Sequence, residues 1–139
     1  MTDTLTAEEL GLWRDFLRWS ERTMAAVGAD LASKSSLSVS DFEAMIRLQD
    51  AGGEMLQREL GDSLSWSASR LSHQLRRMEQ RGLLSRSSAG HGRSVRVALT
   101  TLGRRDLAAA VAVHAHSVRE HFLSVVDPSA ASLIPHSDH

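Results

Sequence analysis

The chain has 139 residues, of which 42% are hydrophobic, and this length and composition fit a single domain with an ordinary core. Its formal net charge is −1, and it contains no cysteine, which excludes disulfides, thiolate metal sites, cysteine nucleophiles and thiol redox sensing. The first ten residues carry acids where a secretory signal needs cations, and no segment approaches the ~18 apolar residues of a membrane span. We therefore expect a cytoplasmic protein without a membrane partner.

Positive charge is concentrated in one quarter of the chain. Between Arg70 and Arg105 there are nine arginines and one acidic residue, Glu79, whereas residues 1–69 and 106–139 are both net acidic. Phosphate groups are bound by clustered cations, so a basic stretch between acidic ones is typical of a nucleic-acid footprint. The distribution predicts a polyanionic partner.

Two helices are predicted in the first third of the chain. A capping box of Thr6 and Glu9 begins a long helix over residues 7–33, in which apolar side chains recur mostly at three- and four-residue spacing. A second capping box, at Ser40, begins a helix near 41–51, and a glycine pair follows it as the termination that a helix favours.

A short helix and a basic helix come next. Residues 56–61 are predicted as the short helix, and either Ser65 or Ser67 is the N-cap of the helix that follows. That helix runs to Arg81 and ends at Gly82. A short helix, a tight turn and a second capped helix are typical of a helix-turn-helix.

The basic helix has two different faces when residues 67–84 are placed at about 100° per residue. The apolar face consists of Ala68, Leu71, Leu75 and Met78. The opposite face consists of Ser69, His73, Arg76, Arg77 and Gln80. Arginine can donate two hydrogen bonds to guanine and glutamine can pair with adenine, so this face suits the DNA major groove. The alternative is a solvated face, which any amphipathic helix has.

Beyond this helix the periodicity changes from 3.6 to 2, which predicts two strands joined by a hairpin turn over residues 87–94. Arg93 at the turn suits the narrow minor groove, while Arg86 and Arg96 on the strands suit phosphates. A lone basic hairpin is usually solvated surface. A short helix, a basic helix and a basic hairpin in succession predict a mainly α winged helix-turn-helix with a two-stranded wing.

A last long helix begins at Thr100 or Thr101 and carries apolar residues through Val125. Asp127 and Pro128 then open a final short segment. The first and last long helices carry apolar stripes that one copy of a chain this small cannot cover, so we expect a homodimer.

Three segments carry a resemblance to a known family: SDFE at 40–43, RRMEQRGL at 76–83 and GRSVRVALTTLG at 92–103. Together they closely resemble the MarR (multiple antibiotic resistance regulator) family of bacterial transcription factors, and the resemblance covers roughly residues 8–126. It implies a homodimer that binds double-stranded DNA at a pseudo-palindromic operator, often to repress transcription.

The resemblance also implies an organisation and a set of site residues. The whole chain, 1–139, forms one domain in which helices at 7–33 and 101–134 dimerise and residues 41–100 form the DNA-binding lobe. Major-groove contacts are expected from Ser67, Ser69, Arg70, His73, Arg76 and Arg77. Wing contacts are expected from Arg86, Arg93, Ser94 and Arg96. A pocket for a small-molecule effector is expected at Trp13, Phe16 and Trp19, although buried aromatic core is the favoured role for at least two of these.

Two positions depart from the family pattern. An acidic residue commonly stands two positions before the wing arginine and helps to hold it, and here that position is His91. The family usually ends in a full helix, whereas residues 128–134 offer only a short segment before a proline. A winged-helix module that binds an acidic protein instead of an operator therefore remains the alternative function.

Histidines 114, 116 and 121 raise the question of a metal site. The set has no cysteine and no carboxylate nearby in sequence better than Glu120, so we expect surface or dimer-interface histidines and no metal or cofactor. No nucleophile elbow, glycine-rich phosphate loop or metalloprotease motif is present, so we do not expect an enzyme.

Overall fold

The computed structural model describes residues 3–90 and 92–126, which form helices around a small antiparallel sheet. In chain order the elements are α1 (Ala7–Lys34), α2 (Val39–Asp50), β1 (Glu54–Leu56), α3 (Gln57–Leu64), α4 (Ala68–Gln80), β2 (Leu84–Ser88), β3 (Val95–Leu99), α5 (Thr101–Val118) and a π-helical turn (Arg119–Leu123). The prediction of a mainly helical winged helix-turn-helix is confirmed. None of the described helices is long and apolar enough to cross a membrane.

The first helix matches its prediction within one residue at its C-terminal end. The Thr6 hydroxyl accepts a hydrogen bond from the Glu9 backbone N–H at 3.1 Å, and the Glu9 carboxylate accepts one from the Thr6 backbone N–H at 3.0 Å. The hydrogen bond to the Thr6 backbone lowers the pKa of Glu9, since it favours the charged carboxylate. This capping box fixes where α1 begins.

The capping box predicted for α2 is wrong by two residues. Ser38 is the N-cap, and its hydroxyl accepts from the Asp41 backbone N–H at 3.1 Å, while the Asp41 carboxylate accepts from the Ser38 N–H at 3.0 Å. Both Ser38 and Ser40 have an acid three residues later, so sequence spacing does not separate them. Asp41 decides the choice because its buried carboxylate also binds the basic helix, and only Ser38 lies three residues before it.

Within the described residues the sheet has three strands: the two predicted strands of the wing, β2 and β3, and a third strand, β1, which was not predicted. Strand β1 pairs with β3, where Met55 lies opposite Val97, and the sheet order is β1-β3-β2. The Gly53 carbonyl extends this pairing by accepting the Leu99 N–H at 2.9 Å. Three residues are too few for a visible alternation, which is why residue 56 was predicted as the start of a helix.

Glycines end α2 and connect the wing to α5. Gly52 and Gly53 have φ angles of 89° and 106°, in the left-handed region that glycine tolerates, and they terminate α2 as predicted. A Cβ on Gly103 would lie 1.9 Å from the Leu83 carbonyl oxygen, so α5 approaches the base of the wing as closely as only glycine permits. Thr100, rather than Thr101, is the N-cap of α5.

One hydrophobic core joins the helix-turn-helix, the sheet and α5. Its fully buried members include Leu48, Leu60, Leu75, Met78, Val97 and Leu107. Only Leu31 of α1 is buried, because α1 packs along α5 and leaves most of its own apolar stripe uncovered. The predicted short segment at 128–134, and with it the end of the predicted helix 101–134, lies outside the described residues.

Candidate nucleic-acid interface

The basic helix α4 separates its side chains as the sequence predicts. Leu71, Leu75 and Met78 are buried against the core. All six predicted major-groove residues are exposed on the other side: Ser67, Ser69, Arg70, His73, Arg76 and Arg77. Ala68, which was assigned to the apolar face, is exposed as well, since it occupies the first turn, ahead of the part of α4 that meets the core.

Ser67, not Ser65, begins the basic helix. The Ser67 hydroxyl accepts the Arg70 backbone N–H at 3.1 Å, whereas Ser65 adopts a left-handed conformation, with φ of 56°, at the end of α3. Ser67 therefore marks the N-terminus of α4, where free backbone N–H groups and the helix dipole favour an anion.

A buried polar network fixes α4 to α2. The Asp41 carboxylate accepts a hydrogen bond from Gln74 Nε2 at 2.6 Å and one from Arg81 Nη1 at 2.7 Å. The Gln74 side-chain oxygen in turn accepts from Arg77 Nη2 at 2.9 Å. The sequence analysis did not identify Gln74 or Asp41, although an amide on the buried side of an amphipathic helix is a visible signal of a polar partner in the core. The network orients Arg77 at the edge of the exposed face.

Arg70 rests on an aromatic ring. Its guanidinium carbon lies 4.0 Å from the centroid of the Trp66 ring, and Trp66 is half-buried with its side chain packed against the core. A guanidinium over the face of tryptophan is a cation–π contact, which narrows the positions available to the side chain. The turn between α3 and α4 thus holds the first arginine of the basic face.

The wing stands next to this ring. Arg93 is exposed beside the wing tip, and Ser94 is half-buried behind it. Both residues line a groove of about 480 Å³, which Trp66 and Ala68 also line. His91, the departure noted two residues before Arg93, lies outside the described residues.

The two other predicted wing arginines are paired with acids. Arg86 Nη2 lies 3.4 Å from the Glu79 carboxylate, which also accepts the Arg86 backbone N–H at 3.0 Å. Arg96 Nη1 lies 3.3 Å from Glu54 on the neighbouring strand. Within residues 3–90 and 92–126, by contrast, no carboxylate pairs with the arginines of the α4 face or of the wing tip: Arg70, Arg76, Arg77 and Arg93.

Two of the three aromatic residues of α1 lie on the surface of the protomer, so the prediction of buried core is wrong for them. Trp13 is 50% exposed and Phe16 is 52% exposed, and their rings stack with centroids 5.8 Å apart. Trp19 is half-buried and contacts Phe122, with centroids 5.9 Å apart.

An apolar cavity of about 450 Å³ lies further along α1, where it meets α2 and α5. Its wall includes Met24, Val27, Leu31, Phe42, Ile46 and Phe122. The predicted effector residues Trp13, Phe16 and Trp19 do not line it. His114 does, and its ring stacks on Phe42 with centroids 4.6 Å apart.

The other two histidines of this region contact acids. His116 Nε2 lies 3.7 Å from Glu120, and His121 Nε2 lies 3.3 Å from Asp30 Oδ2 on α1. Asp30 Oδ2 also accepts the Ser117 hydroxyl at 2.6 Å. This hydrogen bond lowers the pKa of Asp30 by more than burial raises it. The three histidines thus have three different environments.

Comparisons with known proteins agree with this geometry. A family model described as a domain of unknown function, DUF7343, matches residues 36–98, which include the helix-turn-helix and the wing. No curated protein matches the sequence.

Several solved structures share the fold over most of the chain. AbsC, a MarR family transcriptional regulator from Streptomyces coelicolor, is 29% identical, with a TM-score of 0.88 over 96% of this chain and 90% of AbsC. Sco3205, a MarR family transcriptional regulator from the same organism, was solved in complex with DNA. It is 21% identical, with a TM-score of 0.89 over 96% of this chain and 85% of the Sco3205 chain.

A third structure was solved with a small molecule. It is an organohalide-sensing transcriptional regulator in its 2,4-dichlorophenol-bound form. It is 22% identical, with a TM-score of 0.77 over 94% of this chain and 77% of the regulator's chain. Over nearly its whole length, the chain therefore shares the winged helix-turn-helix fold of MarR family transcriptional regulators.

Proposed function

We propose that the protein is a transcription regulator that binds double-stranded DNA, with α4 in the major groove and the tip of the wing in the adjacent minor groove. One observation carries the proposal: the outward face of α4 presents arginines that pair with none of the described carboxylates, while its inward face is fixed by the core and by Asp41. A rigid helix with uncompensated cations on one side is what base and phosphate contacts in the major groove require.

The contacts divide by position. Arg70, His73 and Arg77 are proposed to reach base edges, and Arg76 is proposed to contact phosphate. Ser67 and Ser69 are proposed to bind phosphate at the helix N-terminus. Arg93 and Ser94 are proposed to contact the minor groove or its phosphates. Arg86 and Arg96 are weaker candidates because each would have to leave an acidic partner.

We infer that the regulator is a homodimer on a pseudo-palindromic operator. Large apolar side chains on the dimerisation helices are exposed in one protomer, including Leu12, Trp13, Phe16, Met24 and Val111. Large apolar side chains exposed in this number on two helices are typical of a protein interface. A second copy would cover it and would place two α4 helices on one duplex, which supports a two-fold symmetric site and a repressor that blocks it.

The apolar cavity between α1, α2 and α5 is proposed as the effector pocket. It lies where the dimerisation helices meet the DNA-binding lobe, so a ligand there contacts both. The structure of the related regulator with 2,4-dichlorophenol supports an aromatic or similarly apolar small molecule. The effector pocket proposed here therefore does not use the residues expected from sequence, Trp13, Phe16 and Trp19. It uses residues one to three turns further along α1.

The test is selection of bound duplexes from a random pool, followed by binding measurements at several salt concentrations. The expected result is a two-fold symmetric consensus and a steep fall of affinity with salt, since bound phosphates release counterions. Light scattering is expected to give twice the protomer mass. A sequence-blind and weak interaction with every duplex would instead favour the protein-interaction module.

A further inference from the structure

Three potential metal ligands from distant parts of the chain meet near the C-terminal end of α1. Asp30 lies on α1, while Glu120 and His121 lie in the π-helical turn after α5, 90 or more positions later in sequence. One ligand atom of each residue lies within 4.8 Å of those of the other two. Nothing in the sequence indicates that His121 and Asp30 meet, because they are 91 positions apart.

The distances suit a single ion. Bonds of about 2.0–2.2 Å from zinc to nitrogen and oxygen place two ligand atoms of a tetrahedral site roughly 3.3 Å apart. His121 Nε2 and Asp30 Oδ2 are 3.3 Å apart. Glu120 is exposed, so rotation of its side chain can close the remaining gap. His116 Nε2 lies 3.7 Å from Glu120 but is not among the three converging ligands.

The backbone contributes to this convergence. Neighbouring residues in an α-helix do not face the same way. Glu120 and His121 are neighbours, but they belong to a π-helical turn, which holds more residues per turn and so reduces the angle between adjacent side chains. The Ser117 hydroxyl donates a hydrogen bond to Asp30 Oδ2 and so holds the Asp30 carboxylate, the third ligand, in position.

We propose that Asp30, Glu120 and His121 bind a divalent transition-metal ion of the zinc class, with water completing the coordination. A set of one imidazole and two carboxylates suits Zn²⁺ or Co²⁺ better than Mg²⁺ or Ca²⁺, which prefer all-oxygen sites. The ion joins the end of α1 to the end of α5, the two helices proposed to form the dimer. The site itself does not depend on the proposed DNA binding.

The experiment is a titration of the metal-free full-length protein with Zn²⁺ in competition with a chromophoric chelator, together with Co²⁺ absorption spectra. One ion per protomer is expected, with the d–d bands of a four- or five-coordinate Co²⁺ site. Asp30→Asn and His121→Gln are each expected to lower Zn²⁺ affinity by at least about tenfold, the lower end of the loss seen even for residues that only support a ligand.

Matched controls separate this site from other binding. Lys34 lies 3.5 Å from Asp30 but offers no free ligand while charged, so Lys34→Ala is expected to retain Zn²⁺ binding. The chain also carries His136 and His139, and the double variant His136→Gln, His139→Gln is expected to bind as the parent protein does. Glu120→Gln, at an exposed position, gives a second test should Asp30→Asn impair folding.

The outcomes are distinct. Loss of binding in the Asp30, Glu120 and His121 variants with retention in the controls supports the site. The proposal is overturned if only the variant of His136 and His139 loses Zn²⁺ binding. It is also overturned if Zn²⁺ binding is unchanged after substitution of Asp30 and His121. Either result would assign the cluster to a structural hydrogen-bond network. Absence of stoichiometric Zn²⁺ binding by the parent protein would overturn it too.

Discussion

The outward face of α4 and the strands of the wing both belong to the arginine-rich stretch, yet their arginines have different environments. Arg76 and Arg77 on α4 form no ion pair with the described carboxylates, whereas Arg86 and Arg96 on the strands are paired with acids. Arg81, at the end of α4, is also paired, with the buried Asp41. The net charge of the stretch therefore overstates the number of cations available to a polyanion.

The difference has a physical basis. A paired arginine must give up its carboxylate before it contacts a phosphate, and the carboxylate left behind repels the same phosphate. An arginine without a carboxylate partner leaves no such charge behind. Binding free energy is therefore expected to concentrate in α4 and at the wing tip.

The largest effect is expected for the base-reading residues of α4. Replacement of Arg70, His73 or Arg77 by alanine is expected, for at least one of the three, to cost about 1–3 kcal/mol in operator binding and to relax preference at one half-site position. Titration of each variant against the selected operator and its single-base variants measures both quantities.

Arg105→Ala is the matched control, since Arg105 belongs to the same basic stretch but lies on α5 with a side chain 76% exposed. Its operator affinity is expected to stay close to that of the parent protein. Parent affinity and preference in all three α4 variants would mean that another surface reads the sequence.

A smaller loss of operator affinity is expected when Trp66 is replaced. Trp66 is not on the basic face, but its ring supports the Arg70 guanidinium. Trp66→Leu removes the cation–π contact, which contributes about 0.5–2 kcal/mol, and frees the guanidinium. The loss is expected to be confined to the base position that Arg70 reads. In the double variant with Arg70→Ala, the Trp66 substitution is expected to add little, because the two residues act as one unit.

Thermal unfolding of Trp66→Leu is the necessary control, because the ring also packs against the core. Additive losses in the double variant would show that Trp66 contributes to DNA binding by another route.

The wing tip is expected to contribute through charge alone. Arg93→Ala is expected to weaken binding to all duplexes alike and to reduce the slope of log affinity against log salt by about one, the effect of one lost phosphate contact. Binding isotherms at four or more salt concentrations give that slope. An unchanged slope would assign Arg93 to the solvent rather than to the minor groove.

The sequence predicted much of the fold, because it depends on local signals. The Thr6 capping box, the glycine pair after α2, the face of α4 and the change of period at the wing are all encoded by neighbouring residues. Strand β1 was missed because its three residues are identified only by their pairing with β3. Within the candidate site, the exposure of the basic side chains of α4 was predictable, since the helical period separates the polar face of α4 from its apolar face.

The sequence did not allow us to predict which side chains form ion pairs and hydrogen bonds with each other. The pairing of Arg96 with Glu54 and the binding of Asp41 by Gln74 join residues 42 and 33 positions apart. Nothing in the spacing of these residues reveals such contacts, which arise when the sheet and helices pack. For the same reason the exposed position of Trp13 was missed, since burial of a residue on α1 depends on which elements pack against it.

The smallest effect is expected at Arg96, whose guanidinium is paired across two strands with Glu54 and remains 43% exposed. Exposed ion pairs of this kind contribute about 0–1 kcal/mol, so Arg96→Ala is expected to change the free energy of unfolding by less than that and to leave the salt slope of DNA binding nearly unchanged. Glu54→Gln tests the same pair from the other side, because it releases Arg96 and is expected to raise duplex affinity and to steepen the slope slightly. If Arg96→Ala reduces the slope as much as Arg93→Ala does, Arg96 exchanges Glu54 for a phosphate on binding. The division between paired and unpaired arginines would then describe only the free protein.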